Sequence, residues 1–420
     1  MGTKTEMKSD NTLENVALPD ENSKTIYIFT TYFENDNYGG LLQAFALQKY
    51  LRCNGYTAID VSYKTEYNEV LSKTYSIKEK IQMNYNGTNF KDKVRISVNL
   101  IKRIALKIIC GRKINRKIEN RKNLFRSFRE NQIVHTNAVY MDNDLCELPN
   151  NAYAYMTGSD LVWLLGDKCD LPAGYWLLPF SGRKISYAAS IPMKTLSNTQ
   201  KQKISEALAD YKAISVREFA GKQLLEQCVP KYTDIYQVVD PVFLLTKDEW
   251  VDLLKLKDKC RGEYICTYFL GESSKNRKLS KYISKRVNRK IINIAHALRF
   301  CDNDLMFGTA IVEASVPEFV DIIRCASMVI TDSFHGAAFS EIFGIPYIVT
   351  ERFEGMNKNN LNERLFTLLK NSGKESLYFN DSLRNMRRKF DKIENFNGFH
   401  SNIKDNIAES KMFLKKALES

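Results

Sequence analysis

At 420 residues the chain exceeds the roughly 250–300 residues at which a single core stops growing, so two domains are expected. Its 44% hydrophobic, 11% aromatic and 26% charged residues exclude disordered and fibrous classes, and no apolar run approaches the ~18 residues that a membrane-spanning helix needs. The formal net charge is +13, yet residues 78–130 alone hold sixteen Lys/Arg against four Asp/Glu, so the basicity is local rather than a property of the whole surface.

The first 24 residues are polar and mixed in charge, lack the apolar core of a signal peptide, and are expected to form a disordered tail. Residues 25–31 (TIYIFTT) predict a strand. Asn37-Tyr38-Gly39-Gly40 follows as a glycine turn, and LLQAFALQKYL has the spacing of a helix. A second strand over 56–63 completes a βαβ crossover, the opening of a Rossmann-like half. Residues from about 70 to 135 then read as a basic helical insertion. The α/β alternation resumes with strands at 153–158 and 184–189, a helix over 200–208, a strand at 213–217 and a helix over 220–227. The pattern changes around 237–245 (QVVDPVFLL), which places a domain boundary near residue 240. A second alternating set runs through strands at 264–270 and 290–295, a helix opened by Pro317, a short buried strand at 328–331, a helix starting near His335, a strand at 346–350 and a helix over 361–369. The organisation expected is thus a tail over 1–24, an N-terminal domain over 25–240, a C-terminal domain over 241–395, and a final helix over 396–420.

Nine cysteines, an odd number with no CxxC pair, argue for reduced thiols in a reducing cytosol and against a disulfide framework or a zinc site. No metal or other cofactor is expected.

Parallel α/β sheets bind ligands at the carboxyl ends of their strands, where helix N-termini offer free N–H groups to anions. Two segments fit that geometry. Asn37, Tyr38, Gly39 and Gly40, with Gln43 one turn on, lie between strand and helix; two glycines are fewer than a dinucleotide fingerprint supplies, and an ordinary strand-to-helix turn is the alternative. The segment 329–336 (VITDSFHG) places Asp332, Ser333, His335 and Gly336 at another strand end. There the imidazole could bind an anion or move a proton, or Ser333 could simply cap a helix with His335 packed behind it.

These segments occur in order with GSDLVW (158–163), KISYAASIP (184–192), SVRE (215–218), VVDPVFLL (238–245), PEF (317–319) and NERLFTLL (362–369). In that combination the chain resembles the polysaccharide pyruvyl transferases over most of residues 25–370. The resemblance implies two Rossmann-like domains facing each other across a cleft, as in GT-B glycosyltransferases. It also implies transfer of a pyruvyl group from phosphoenolpyruvate to a sugar, as a ketal, in the cytoplasm. It points to Arg217 and His335 around the donor, with Ser333 and Gly336 beside them. Arg364 offers a second cation, with a solvated helix face as the alternative. Asp160, after Ser159, could accept the proton of a sugar hydroxyl or cap the next turn, and Trp163 or Trp176 could stack on the acceptor or lie in the core. Residues 164–168 (LLGDK) depart from the family's continuation after GSDxVW, so acceptor contacts do not carry over.

The basic insertion admits three readings: an arm for an anionic membrane surface or a diphosphate-linked lipid acceptor, a solvated helical hairpin, or a nucleic-acid contact that no recognisable binding motif supports. The competing functions are a nucleotide-sugar glycosyltransferase of the same fold and a non-catalytic scaffold of polysaccharide assembly.

Overall fold

The computed structural model describes residues 24–65, 90–165, 171–257, 260, 262–296, 302–305, 307–352, 362–393 and 402–419, and of residues 90–110 and 302–303 only the backbone. Apart from Lys24, the tail expected over 1–24 lies outside the described residues, as does 66–89 of the insertion.

Two six-stranded, all-parallel sheets form the molecule. The first contains β1 (Thr25–Phe29), β2 (Thr57–Asp60), β3 (Ala154–Thr157), β4 (Lys184–Ser186), β5 (Tyr211–Val216) and β6 (Ile235–Gln237), in the order β2-β1-β3-β4-β5-β6. The second contains β7 (Tyr264–Tyr268), β8 (Lys290–Ile294), β9 (Thr309–Ile311), β10 (Met328–Thr331), β11 (Tyr347–Thr350) and β12 (Tyr378–Phe379), in the order β12-β11-β10-β7-β8-β9. Read from its other edge this is 3-2-1-4-5-6, the Rossmann order. Central strands such as TIYIF, MVIT and YIVT are buried along their whole length. Continuous β-branched and aromatic runs are what a parallel sheet covered by helices on both faces requires.

The helices are α1 (Tyr38–Cys53), α2 (Phe90–Gln132), α3 (Asn198–Leu208), α4 (Phe219–Leu225), α5 (Lys247–Leu254), α6 (Ser274–Arg286), α7 (Val316–Arg324), α8 (Phe334–Phe343), α9 (Glu363–Asn371), α10 (Leu383–Asp391) and α11 (Ile403–Glu419). Their starts are chemically marked. Reciprocal capping boxes, Ser197 with Gln200, Thr246 with Glu249 and Ser315 with Glu318, satisfy the first free N–H groups of α3, α5 and α7.

The domains meet through α1. Tyr38 stacks on Phe319 of α7 with ring centroids 4.2 Å apart, and its hydroxyl donates to the Ala314 carbonyl at 2.7 Å. One apolar cluster runs from Leu41, Leu42 and Phe45 through Trp250 to Val320, Ala337 and Phe339, crossing the domain boundary without a break. The chain crosses after β6, through a 3-10 turn at Pro241–Leu244. It then returns, because α11 buries Phe413, Leu414, Ala417 and Leu418 against Ile26, Leu47 and Ile185 of the first domain.

Three readings of the sequence are corrected. The described part of the insertion is one 43-residue helix, not a hairpin, and its C-terminal half is structural. Ile114, Arg121, Phe125 and Phe128 are buried; the Arg121 guanidinium donates to the carbonyls of Ala295 and His296 in the second domain, and Lys117 pairs with Glu313. The thiols are not all reduced: Cys260 and Cys325 form a disulfide between the segment leading into β7 and the end of α7. Sequence spacing could not show this, because 65 residues separate the two. The strand expected over 184–189 stops at Ser186, since Ala188 takes a left-handed φ of 55° that breaks the ladder.

Candidate active site

A topological switch point, where strands lead away in opposite directions on either side of a starting strand, leaves a crevice at the carboxyl end of a parallel sheet. Sheet one has its switch between β1 and β3, and sheet two between β7 and β10. The residues that follow these strands, Thr31 after β1, Ser159 and Asp160 after β3, and Asp332 to His335 after β10, converge from the two domains on one buried cluster of charge.

Asp160 is at its centre. Its Oδ1 accepts a hydrogen bond from Arg364 Nη1 of the second domain at 3.2 Å and lies 3.7 Å from Arg217 Nη2, while its Oδ2 accepts from the Thr31 hydroxyl at 3.2 Å. Its backbone has φ 71° and ψ −161°, a region nearly reserved for glycine, so the surrounding fold holds this side chain at a cost of roughly 1–3 kcal/mol. Arg217 donates Nε to Glu218 Oε1 at 3.0 Å and Nη1 to Asp240 Oδ2, and its guanidinium carbon lies 4.6 Å from the centroid of the Phe334 ring. The Asp240 carboxylate also accepts from the Ser159 hydroxyl at 3.3 Å, and its Oδ2 stands 3.8 Å from His335 Nε2. Three carboxylates, two guanidiniums and one imidazole thus share a buried pocket. Four of their polar atoms, Arg217 Nη2, Glu218 Oε2, His335 Nε2 and Arg364 Nε, have no hydrogen-bond partner.

Backbone close approach makes this possible. At Gly39, in the first turn of α1, a Cβ would lie 1.9 Å from His335 Nδ1; only glycine lets the imidazole, in the first turn of α8, sit against that helix start. Asn37 caps α1 by accepting from Gly39 N at 3.0 Å, and Ser333 caps α8 by accepting from Gly336 N. Gly336 packs on Thr331, whose Oγ1 would be 2.7 Å from an added Cβ, and Gly40 packs on Asn35 and the Thr31 carbonyl. Gln43 reaches back to Thr30 Oγ1 at 2.8 Å and braces the end of β1.

Burial and neighbours set the protonation states. For Asp160 burial works to raise the pKa, but Arg217 and Arg364 outweigh it and hold the carboxyl below the usual carboxylate range. Burial pushes Arg364 down to about 10, with Arg217 adding to that and Asp160 opposing it. His335 is also lowered, chiefly by burial, against the pull of Asp240 and Asp160, so the closed pocket favours the neutral imidazole. Asp332, which accepts from the N–H groups of Leu270 and Gly271, is pushed up to about 6 by burial.

Of the residues singled out in the sequence, Arg217, His335, Asp160, Arg364 and Ser159 come together. Asn37, Gly39, Gly40, Gln43, Ser333 and Gly336 shape the strand-to-helix turns around them. Tyr38 belongs instead to the domain contact, and Trp163 and Trp176, both fully buried, stack on each other in the core at 4.7 Å, with Trp163 Nε1 donating to the Tyr175 carbonyl. Asp240 and Glu218 were not among the candidates. Their signal was present, for each ends a strand motif (SVRE, VVDP), but an acid beside an arginine reads as a plain salt bridge until the third group, His335, arrives from a distant segment.

In this closed arrangement the free space beside Arg217, Asp240, Phe334, Arg364, Thr367 and Asn371 is about 10 Å³, room for one water. Among the described residues a second cluster of potential metal-ligand atoms, Cys260, Asp321 and Cys325, stands apart from this site; its two sulfurs are bonded to each other and Asp321 is paired with Arg324.

The profile of the family described as polysaccharide pyruvyl transferase matches residues 37–352, from the cap of α1 to beyond β11. The chain belongs to that family. The match covers the charged site residues except Arg364, leaves Thr31 just outside it, and makes the protein a transferase with a sugar acceptor. No curated protein matches the sequence. Among solved structures, the chain is similar to the UDP-GlcNAc 2-epimerase of Methanocaldococcus jannaschii in complex with UDP-GlcNAc and UDP (10% identity, 93% of this chain and 99% of that one, TM-score 0.48). It is also similar to that of Neisseria meningitidis bound to UDP-GlcNAc (11% identity, 94% and 100%, TM-score 0.46). For this pyruvyl transferase family member the two Rossmann-like domains rest on its own strand order.

Proposed function

We propose that the protein transfers the enolpyruvyl group of phosphoenolpyruvate, as a ketal, onto a sugar of a surface polysaccharide or of its lipid-linked precursor, in the cytoplasm where that donor is made. The observation that carries this reading is the meeting of two helix starts, α1 and α8, with the buried cations Arg217 and Arg364 and the imidazole of His335 at both switch points. Such a set suits a small ligand with a phosphate and a carboxylate.

The closed pocket is too small for that donor, so binding parts Arg364 from Asp160. The donor's negative charge takes Arg364, and the same charge raises the pKa of His335, which becomes the acid. Imidazolium protonates the methylene carbon of the donor, leaving an oxocarbenium-like centre at the carbon that bears phosphate and carboxylate. One sugar hydroxyl attacks that carbon and gives its proton to Asp160, now free of Arg364. A second hydroxyl then displaces phosphate, passing its proton to the His335 imidazole left neutral by the first step; this closes the ketal with a methyl and a carboxylate on one carbon and releases inorganic phosphate. Arg217 stays bound to Asp240 and Glu218 and orients the site.

Calorimetric titration with phosphoenolpyruvate tests the donor without knowledge of the acceptor: we expect binding to the wild type and at least tenfold weaker binding to Arg364→Ala. No binding at millimolar donor, with release of UDP, GDP or CMP from a nucleotide sugar, would instead establish the glycosyltransferase reading. With a panel of lipid-linked and nitrophenyl sugars, phosphate release and a new ketal methyl signal report turnover.

A further inference from the structure

The exposed side of α2 is not explained by the transferase site. From Lys93 to Ile118 the helix has nine Lys/Arg and no Asp/Glu. Within it Val94, Val98, Ile101, Ala105 and Ile108 recur at i, i+4, i+7, i+11 and i+14, an apolar row at helical spacing. The C-terminal half packs on the domains through a different row, Ile114, Arg121, Phe125 and Phe128, all buried. Continued in helical register, positions 94 to 108 fall in line with Arg112, Asn115, Glu119, Lys122 and Arg126, which are exposed. Along the helix, about 1.5 Å per residue and so roughly 65 Å long, one register line therefore runs from apolar positions at 94–108 to the exposed residues at 112–126.

We propose that this side of α2 docks the enzyme on an anionic lipid bilayer, the apolar row at the level of the headgroups and the lysines and arginines on lipid phosphates. Charge decides among occupants. A second copy of the chain would set the cations of this line, Arg112, Lys122 and Arg126, against their own kind, relieved only by Glu119, already paired with Lys122 at 3.3 Å, and Glu130. Single-stranded nucleic acid is bound by stacking on aromatic rings, and positions 91–124 contain none. An amphipathic basic helix with an aliphatic row matches an anionic membrane interface. This docking does not depend on the donor proposed above.

The test is co-sedimentation of the full-length protein with vesicles of phosphatidylcholine alone or with 30% phosphatidylglycerol. Binding to the anionic vesicles only, weakened by salt, is expected. The triple variant Arg112→Glu, Arg116→Glu, Arg126→Glu, whose positions are exposed, should bind on the order of 100-fold more weakly, at about 1 kcal/mol for each cation near the surface. Ile101→Asp with Ile108→Asp should also release it, with unchanged circular dichroism and an unchanged melting curve. Equal binding to both vesicle types, binding that survives both variants, a dimer in light scattering that Ile101→Asp dissolves, or an oligonucleotide that binds more tightly than the anionic vesicles would each overturn the proposal.

Discussion

The Asp160 carboxylate accepts from Thr31 of the first domain and Arg364 of the second, and its backbone sits where side chains rarely go. Asp160→Asn keeps a residue that tolerates positive φ but removes the charge, leaving Arg364 buried beside Arg217 without compensation. We expect a loss of roughly 3–5 kcal/mol in denaturant unfolding and little remaining turnover. Arg217→Ala should be as damaging to the fold, because it strands Asp240 and Glu218, both buried, so it cannot separate catalysis from stability. His335→Gln can: the side chain keeps a hydrogen-bonding group of similar size, and activity should fall about 10²–10⁴-fold with folding near normal. His335 also gives stability a pH dependence. Its pKa in the fold is below the 6.5 of the unfolded chain, so its contribution is complete above pH 6.5 and is lost as pH falls through the folded value. Below pH 6.5 the melting temperature of the wild type should therefore drop more steeply than that of His335→Gln; parallel curves would show that the imidazole is not held neutral. Arg217 and His335 were singled out in the sequence because motifs shared with a known family put them just after strands, Arg217 directly after β5 and His335 in the helix start that follows β10. The role of Asp240 was not, since it depends on groups 23 and 95 positions away.

At the level of elements, the site exists because two helices begin against each other. Gly39→Ala would ordinarily favour a helix by about 0.5–1 kcal/mol. Here its methyl lands on the His335 ring, and either the imidazole or the helix start has to move. We expect a net destabilisation of about 1–3 kcal/mol and a fall in kcat larger than any change in donor KM, measured side by side with Gly111→Ala, a helical position where no atom lies within 4 Å of the added Cβ. Long alternating runs were readable as strands and helices, and the Met328–Thr331 strand has the bounds expected of it. Short elements were not: β9 and β12, of three and two residues, are held by their neighbours in the sheet rather than by any periodicity of their own. The basic segment was legible as helical, but the packing of its C-terminal half on the domains was not, because Arg121, a residue expected on a surface, is buried by two carbonyls of the other domain.

For the whole molecule, the disulfide and the chain path decide how it holds together. The Cys260–Cys325 bond closes 65 residues of the second domain, worth about 4 kcal/mol of unfolded-chain entropy in the simplest treatment. Dithiothreitol, or Cys325→Ser, should lower the unfolding midpoint of that domain by a corresponding amount. The path has a further consequence. Because the chain passes to the second domain at Pro241–Leu244 and comes back before Ile403, the two lobes share a pair of tethers rather than one. Two attachments together with the shared apolar cluster resist a free swivel of one lobe on the other, so the parting of Arg364 from Asp160 that the proposed donor requires would be confined to a narrow path, and closure would return the same guanidinium to the same carboxylate.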